Sequence, residues 1–286
     1  MKYLFPFLLL FSFVFPACDT EEEAIPAYLY IEAVNLNAGT GEGGNTVKVT
    51  NVQAYAGTEN LGIVSVPGLI PVFETGTSDF RFDPMIRDNG NSFTLALYPF
   101  YERITRSLTL TPGQTDTLRL TANYAQDRTE FLFVEQFESS NQLFTDDRDG
   151  NPGSDIVRTE VGALSGKSAR LRVDTDNPRL EVATDAGNLY DLAAIPAGVY
   201  LELDFKAEVP FQLGLIGQSA TIPEAVAYSY ALNAKDEWTK IYLNLTSEVF
   251  ASGFDAYQIS VLLDLPADRT EAQVWLDNVK LVAYRN

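Results

Sequence analysis

The chain has 286 residues, with 39 acidic and 20 basic side chains, a formal net charge of −19, no histidine and a single cysteine. Without imidazole there is no Ser-His-Asp or Cys-His nucleophile pair and no histidine-ligated metal, and one thiol cannot build a Cys-type zinc site. The negative charge opposes nucleic acid, which is bound mainly through Lys and Arg, so no nucleic-acid partner is expected.

Residues 1–17, MKYLFPFLLLFSFVFPA, place one charge, Lys2, ahead of an apolar stretch interrupted by Ser12 and two prolines. This is the order of a secretory signal peptide. A membrane-spanning helix needs about 20 apolar residues, and Pro6 and Pro16 would disturb one. Cys18 follows, and after it Asp19, Thr20, Glu21, Glu22 and Glu23. The run Phe15-Pro16-Ala17-Cys18 resembles the lipobox of bacterial lipoproteins in its looser Bacteroidota form, with Phe15 and Pro16 where Leu and a small residue are usual. The resemblance implies cleavage before Cys18, lipid attached covalently to its sulfur, and an acidic tether over 18–26. Two or three acyl chains, at ~0.8 kcal/mol per buried methylene, hold a protein firmly. The acidic run is similar to the signal that sends Bacteroidota lipoproteins to the outer face of the outer membrane. Its other reading is a hydrated spacer.

Beyond the tether, short period-2 segments alternate with Gly, Pro, Asn and Asp clusters, which predicts an all-β chain. Segments 27–36, 46–55, 61–66, 77–82, 93–98, 105–110 and 115–122 give roughly seven strands over about 95 residues, the size of an immunoglobulin-like β-sandwich spanning 27–122. After the polar patch 123–130, segments 131–137, 168–174, 199–207, 210–216, 227–232, 238–245, 257–265 and 272–282 predict a jelly-roll β-sandwich spanning 130–286. The stretches FVEQFES, SGKSARLRV, WTKIYLNL and VWLDNVKLV are similar to the galactose-binding-like jelly rolls of carbohydrate-binding modules. The order of the two domains, with LYPFYE at 97–102, also resembles a recurring type of Bacteroidota surface lipoprotein. That resemblance implies location and architecture, and no reaction.

Carboxylate catalysis is tempting at Glu202, Asp204 and Glu208, because laminarinase-type jelly rolls carry glutamates on one strand. Six residues at ~3.3 Å each put Glu202 and Glu208 about 20 Å apart. A retaining pair needs roughly 5.5 Å and an inverting pair at most about 9.5 Å. The alternation of these charges with Leu201, Leu203, Phe205 and Ala207 predicts a half-buried strand with a solvated face, and no catalytic residue is assigned.

Asp146, Asp147, Asp149, Asn151 and Asp155 crowd one loop, rich in the hard oxygen ligands calcium takes. Related jelly rolls hold a structural calcium near the first and last strands, where Glu135, Glu138 and Asp277 lie. A set of Asp147, Asp149, Asp155, Glu138 and Asp277 is the resulting candidate, although EF-hand order is absent and Asp-Gly and Asn-Pro-Gly also form plain turns. No cofactor is required.

A glycan would need exposed rings, because a ring face stacks on a pyranose while polar groups take its hydroxyls. Trp275 shares its parity with Asp277, and Tyr228 and Tyr230 share a face, which makes these three the candidates; core packing is the competing reading for Trp275 and for Trp238. Asp116-Thr117-Leu118 matches the short pattern of Bacteroidota O-glycosylation, with Thr117 the acceptor. The stretch 38–45, AGTGEGGN, reads as a hairpin loop.

The leading expectation is a non-catalytic, surface-exposed outer-membrane lipoprotein acting as a binding or scaffold component, as an accessory subunit of an outer-membrane protein complex. It predicts an exposed apolar patch around Tyr98, Pro99, Phe100 and Tyr101. The alternative is a glycan-binding surface lipoprotein associated with oligosaccharide uptake.

Overall fold

The computed structural model describes residues 24–195 and 198–285, so Cys18 and the apolar leader lie outside the described residues. Among the described residues the chain is all-β apart from one short helix. The first sandwich is immunoglobulin-like and contains β1 (Ala27–Leu36), β2 (Asn51–Ala56), β3 (Glu59–Ser65), β4 (Gly68–Val72), β5 (Gly76–Arg87), β6 (Leu95–Leu97), β7 (Ile104–Leu110) and β8 (Thr115–Ala122). One sheet runs β4-β1-β8, with β1 antiparallel to β4 and parallel to β8. The facing sheet runs β3-β2-β5, and β5 then pairs β7 along its first half and β6 along its end.

Period-2 patterning positions these strands. In β1, Ala27, Leu29 and Ile31 are buried while Tyr28, Tyr30 and Glu32 face the other way. β4 was invisible in the pattern because of Pro71; it is an edge strand, where a residue without an N–H is tolerated. Pro84 likewise falls between the β7 and β6 partners of β5, so the ladder carries on past it. The expected strand over 46–55 begins only at Asn51.

The second sandwich is a jelly roll. It contains β9 (Thr129–Glu135), β10 (Phe144–Asp147), β11 (Val157–Thr159), β12 (Ser168–Asp174), β13 (Arg179–Thr184), β14 (Val199–Ala207), β15 (Phe211–Gln218), β16 (Ala225–Leu232), β17 (Lys235–Asn244), α1 (Thr246–Ser252), β18 (Ala256–Asp264) and β19 (Glu271–Tyr284). One sheet runs β10-β13-β18-β15-β16 and the other β11-β12-β19-β14-β17, with β9 beside β12 on the same edge of β19. Short β10 and β11 and the charged β13 carry too little apolar alternation to have been predicted. α1 stops at Gly253, whose φ of 63° is the left-handed conformation glycine adopts without strain.

The core between these sheets is built from residues such as Phe133, Leu171, Leu203, Phe205, Phe211 and Val261. Tyr200, Tyr242 and Val282 point the other way and belong to the core of the first sandwich. The two sandwiches therefore share a buried seam.

Candidate functional site

The seam lies on the outer face of β14, β17 and β19. The structure corrects two expectations there. The rings of LYPFYE form no exposed patch: Tyr98, Phe100 and Tyr101 are buried, packed edge-on or tilted against Tyr200 and Tyr242 with centroids between 4.9 and 6.4 Å apart. The outward charges of β14 are not solvated either, since Glu202 has 0% exposure and Asp204 is buried. Alternation gives the side of a sheet on which a residue stands; it cannot tell water from a second domain.

Glu202 is fully engaged. The hydroxyls of Tyr98 and Tyr124 donate to Oε1 at 2.6 and 2.9 Å, Tyr124 also lies 2.8 Å from Oε2, and the Lys240 ammonium stands 3.1 Å from Oε2. Burial alone would raise its pKa, but Lys240, Lys280 and the two phenols hold the carboxyl below the usual glutamate range. Lys280 donates to Gly44 O at 3.2 Å and to Tyr124 Oη at 3.1 Å. Burial brings this lysine down to about 8, with Glu202 acting against the shift. A carboxylate so enclosed cannot meet a substrate.

Residues 38–45 are more than a hairpin loop. Gly44 N donates to Asn278 Oδ1 at 3.0 Å, and Thr46 Oγ1 and Asn278 Nδ2 both donate to Asp204. A Cβ on Gly44 would stand 2.5 Å from Asn278 Oδ1, and one on Gly43 2.8 Å from Lys280 Cε. The glycines let the backbone of one sandwich approach the other.

Two candidate rings are corrected as well. Trp275 and Tyr230 are each only 8% exposed. Trp275 is covered because the loop after β11 folds over it: its Nε1 donates to Val161 O at 3.1 Å, and Trp238 Nε1 and Lys206 Nζ both donate to Gly162 O at 3.1 Å. Lys206 lies 4.3 Å above the Trp275 ring. Tyr230 turns inward and donates to Asn244 O at 2.6 Å.

The five candidate calcium ligands fall in two places. Asp147 Oδ1 accepts from Gly150 N, and Asp149 accepts from Asn151 N, Ser154 Oγ and Glu181 N. Asp155 beside them is raised by burial and then by Asp147 and Asp149. Glu138 and Asp277 stand at the other place. Glu138 accepts from Lys167 N, and Asp277 accepts from Ser168 Oγ and Asn278 N. Burial pushes Asp277 up to about 7, opposed by those two donors and aided by Asp204 and Glu138. Among the described residues, no three His, Cys, Asp or Glu side chains are arranged to hold a metal ion, so the set does not fit one calcium. Thr117 stands exposed on β8, opposite Tyr30.

Tyr228 is different. It lies on the outer face of the sheet β10-β13-β18-β15-β16, half-buried, with its ring across β15 at Gly214, where a Cβ would be 2.8 Å from Tyr228 Cδ1. Its hydroxyl donates to Glu181 Oε1 at 2.6 Å and is 2.7 Å from Ser260 Oγ. From β16 the side chain thus reaches over β15 and β18 to β13, which lays the ring along the sheet. Burial raises the phenol first, and the Glu181 bond adds to the shift. Glu181 itself is held low by Tyr228 and Arg179 in spite of burial.

Ionic pairs surround the ring: Arg179 with Glu181 at 2.8 Å and with Asp264 at 3.2 Å, and Arg148 with Asp146 at 3.4 Å and with Glu224. Gln258 is fully buried and donates to Asp146 Oδ2 at 2.9 Å. Its Oε1 and Arg148 Nε have no partner. Sequence reasoning missed Glu181, Arg148 and Gln258. The signal was Gly214 inside a strand, which marks a close approach.

Fold and faces define a tandem β-sandwich protein whose second sandwich has one outer face closed and one open. No protein-family model matches the chain, and no curated protein does. Among solved structures, a family 30 carbohydrate-binding module is 14% identical, with a TM-score of 0.42 over 55% of this chain and 89% of that one. A family 29 module from Piromyces equi is 14% identical, with a TM-score of 0.37 over 54% and 89%. The C-terminal family 22 module of Clostridium thermocellum Xyn10B is 11% identical, with a TM-score of 0.38 over 54% and 94%. Likeness at this level says nothing of ligand, and the site is read from this chain's own side chains.

Proposed function

We propose that this chain is a non-catalytic carbohydrate-binding lipoprotein, anchored to the outer membrane of a Bacteroidota cell through Cys18 and facing the exterior, with the open face of its second sandwich as the binding surface. The observation that carries this reading is the Tyr228 ring laid along the sheet at Gly214, flanked by charged and amide groups. A flat ring offers stacking to the C–H face of a sugar, and Arg148, Arg179 and Glu181 offer bonds to its hydroxyls. An open sheet face suits a run of sugars in a polymer.

Native affinity electrophoresis against soluble plant and microbial polysaccharides tests it. At least one polysaccharide should retard the wild type and leave Tyr228→Ala unretarded; equal migration on every polysaccharide sinks the reading. The anchor is tested separately by Cys18→Ala, which should move the protein from the membrane to the soluble fraction.

Membership of an outer-membrane protein complex is the second reading. Phe93 and Phe250, 95% and 90% exposed, are the most exposed large apolar side chains among the described residues and are the contacts such a partner would cover. Purification in gentle detergent should then bring down a partner that Phe250→Ser releases.

A further inference from the structure

The side of the second sandwich is completed by the first. After β5, residues Asp88 to Asn91 hook over edge strand β17: Asn89 N donates to Tyr242 O at 3.0 Å, and Asn244 N donates to Asn89 Oδ1 at 2.7 Å. Gly90 sits with φ +68°, and a Cβ there would meet Ile241 Cδ1 at 2.8 Å. The turn thus covers hydrogen-bonding groups that an edge strand leaves open.

Beneath it lies a cavity of about 470 Å3 between the edges of β16 and β17. Its floor is apolar, from Phe205, Leu232, Ile241 and Leu243. The walls are polar: Asn89 and Asn91 from the first sandwich, Ser229, Asn233 and Lys235 from the second. Glu248 of α1 also lines it, with one carboxylate oxygen, Oε2, turned inward away from water. Asn89, Asn91 and Asn233, together with Glu248, give the cavity both donors and acceptors for the hydroxyls of a ligand.

We infer that this cavity is a second carbohydrate site, which takes a single uncharged pyranose with its C–H face on the apolar floor and its hydroxyls on the asparagines and Glu248. The volume lies within the usual range for small-molecule sites. Lys235 and Glu248 carry opposite charges, which matches a neutral polyol better than an anion or a cation. A half-open recess at the sheet edges suits a terminal sugar or a free monosaccharide, whereas the Tyr228 face suits a chain interior. The site does not rest on that face, since the two share no residue.

The test is saturation-transfer NMR on the full chain with the methyl pyranosides of glucose, galactose and mannose as probes. At least one should show transfer to its ring protons. Binding should weaken by about tenfold in Glu248→Ala and in the exposed-residue variant Asn233→Ala, and stay unchanged in Tyr228→Ala. Absence of transfer from all three glycosides overturns the site, as does transfer that survives both cavity variants. Transfer lost only in Tyr228→Ala assigns the sugar to the open face, removing this site while leaving the proposed function standing. Glycoside binding that depends on Glu248 in a protein no polysaccharide retards keeps this site and removes the other.

Discussion

The two outer faces of the second sandwich carry the same kinds of side chain under different cover. On β14, β17 and β19, tyrosines, carboxylates and lysines are sealed by the first sandwich, and Glu202 is matched by Lys240, Tyr98 and Tyr124. Around β13, β18, β15 and β16, Tyr228, Glu181, Arg148 and Arg179 are partly or fully exposed. A sealed ionic network fixes how two bodies meet. An uncovered one is available to a ligand. Side-chain chemistry alone does not distinguish the two faces; cover by the first sandwich does.

The comparison can be broken most forcefully at Lys240. Lys240→Ala leaves Glu202 buried without its closest cation and should destabilise the chain by about 3–5 kcal/mol in urea unfolding. A loss no larger than that of a surface variant would mean that the seam opens to water. Gly44→Val drives a side chain into Asn278 and should cost about 1–3 kcal/mol, read as a lower urea midpoint.

Acid sharpens the contrast further. Asp277 has a folded pKa of about 7 against an ordinary 3.8, so the folded state holds its proton more tightly between those values. Its contribution to stability is present below pH 3.8 and is lost as pH rises through about 7. Asp277→Asn should flatten that part of the stability profile, measured as melting temperature against pH. At the small end, Arg179→Ala removes exposed ion pairs of the open face and should change stability by no more than about 0.5 kcal/mol.

The all-β class and most strands could be read from alternation, because Leu29 and Ile31 in β1, or Leu201 and Leu203 in β14, repeat every second residue. β4 was hidden by Pro71 and β13 by its charges. The seam could not be read at all. Tyr98, Glu202 and Lys280 are far apart in sequence, and their meeting depends on how one sandwich sits upon the other. Of the three rings named from parity, Trp275 was lost to a loop with no periodic signal and Tyr230 to the core. Tyr228 remained at the surface because Gly214 gives it room to lie down.

Oxidative footprinting of the tyrosines, with and without a polysaccharide that retards the protein, tests the contrast between the faces most directly. Tyr98, Tyr101, Tyr124 and Tyr242 should stay unlabelled throughout, while Tyr228 is labelled in the free protein and protected when the polysaccharide is added. Labelling of the seam tyrosines in the free protein, or labelling of Tyr228 that the polysaccharide leaves unchanged, would contradict the account.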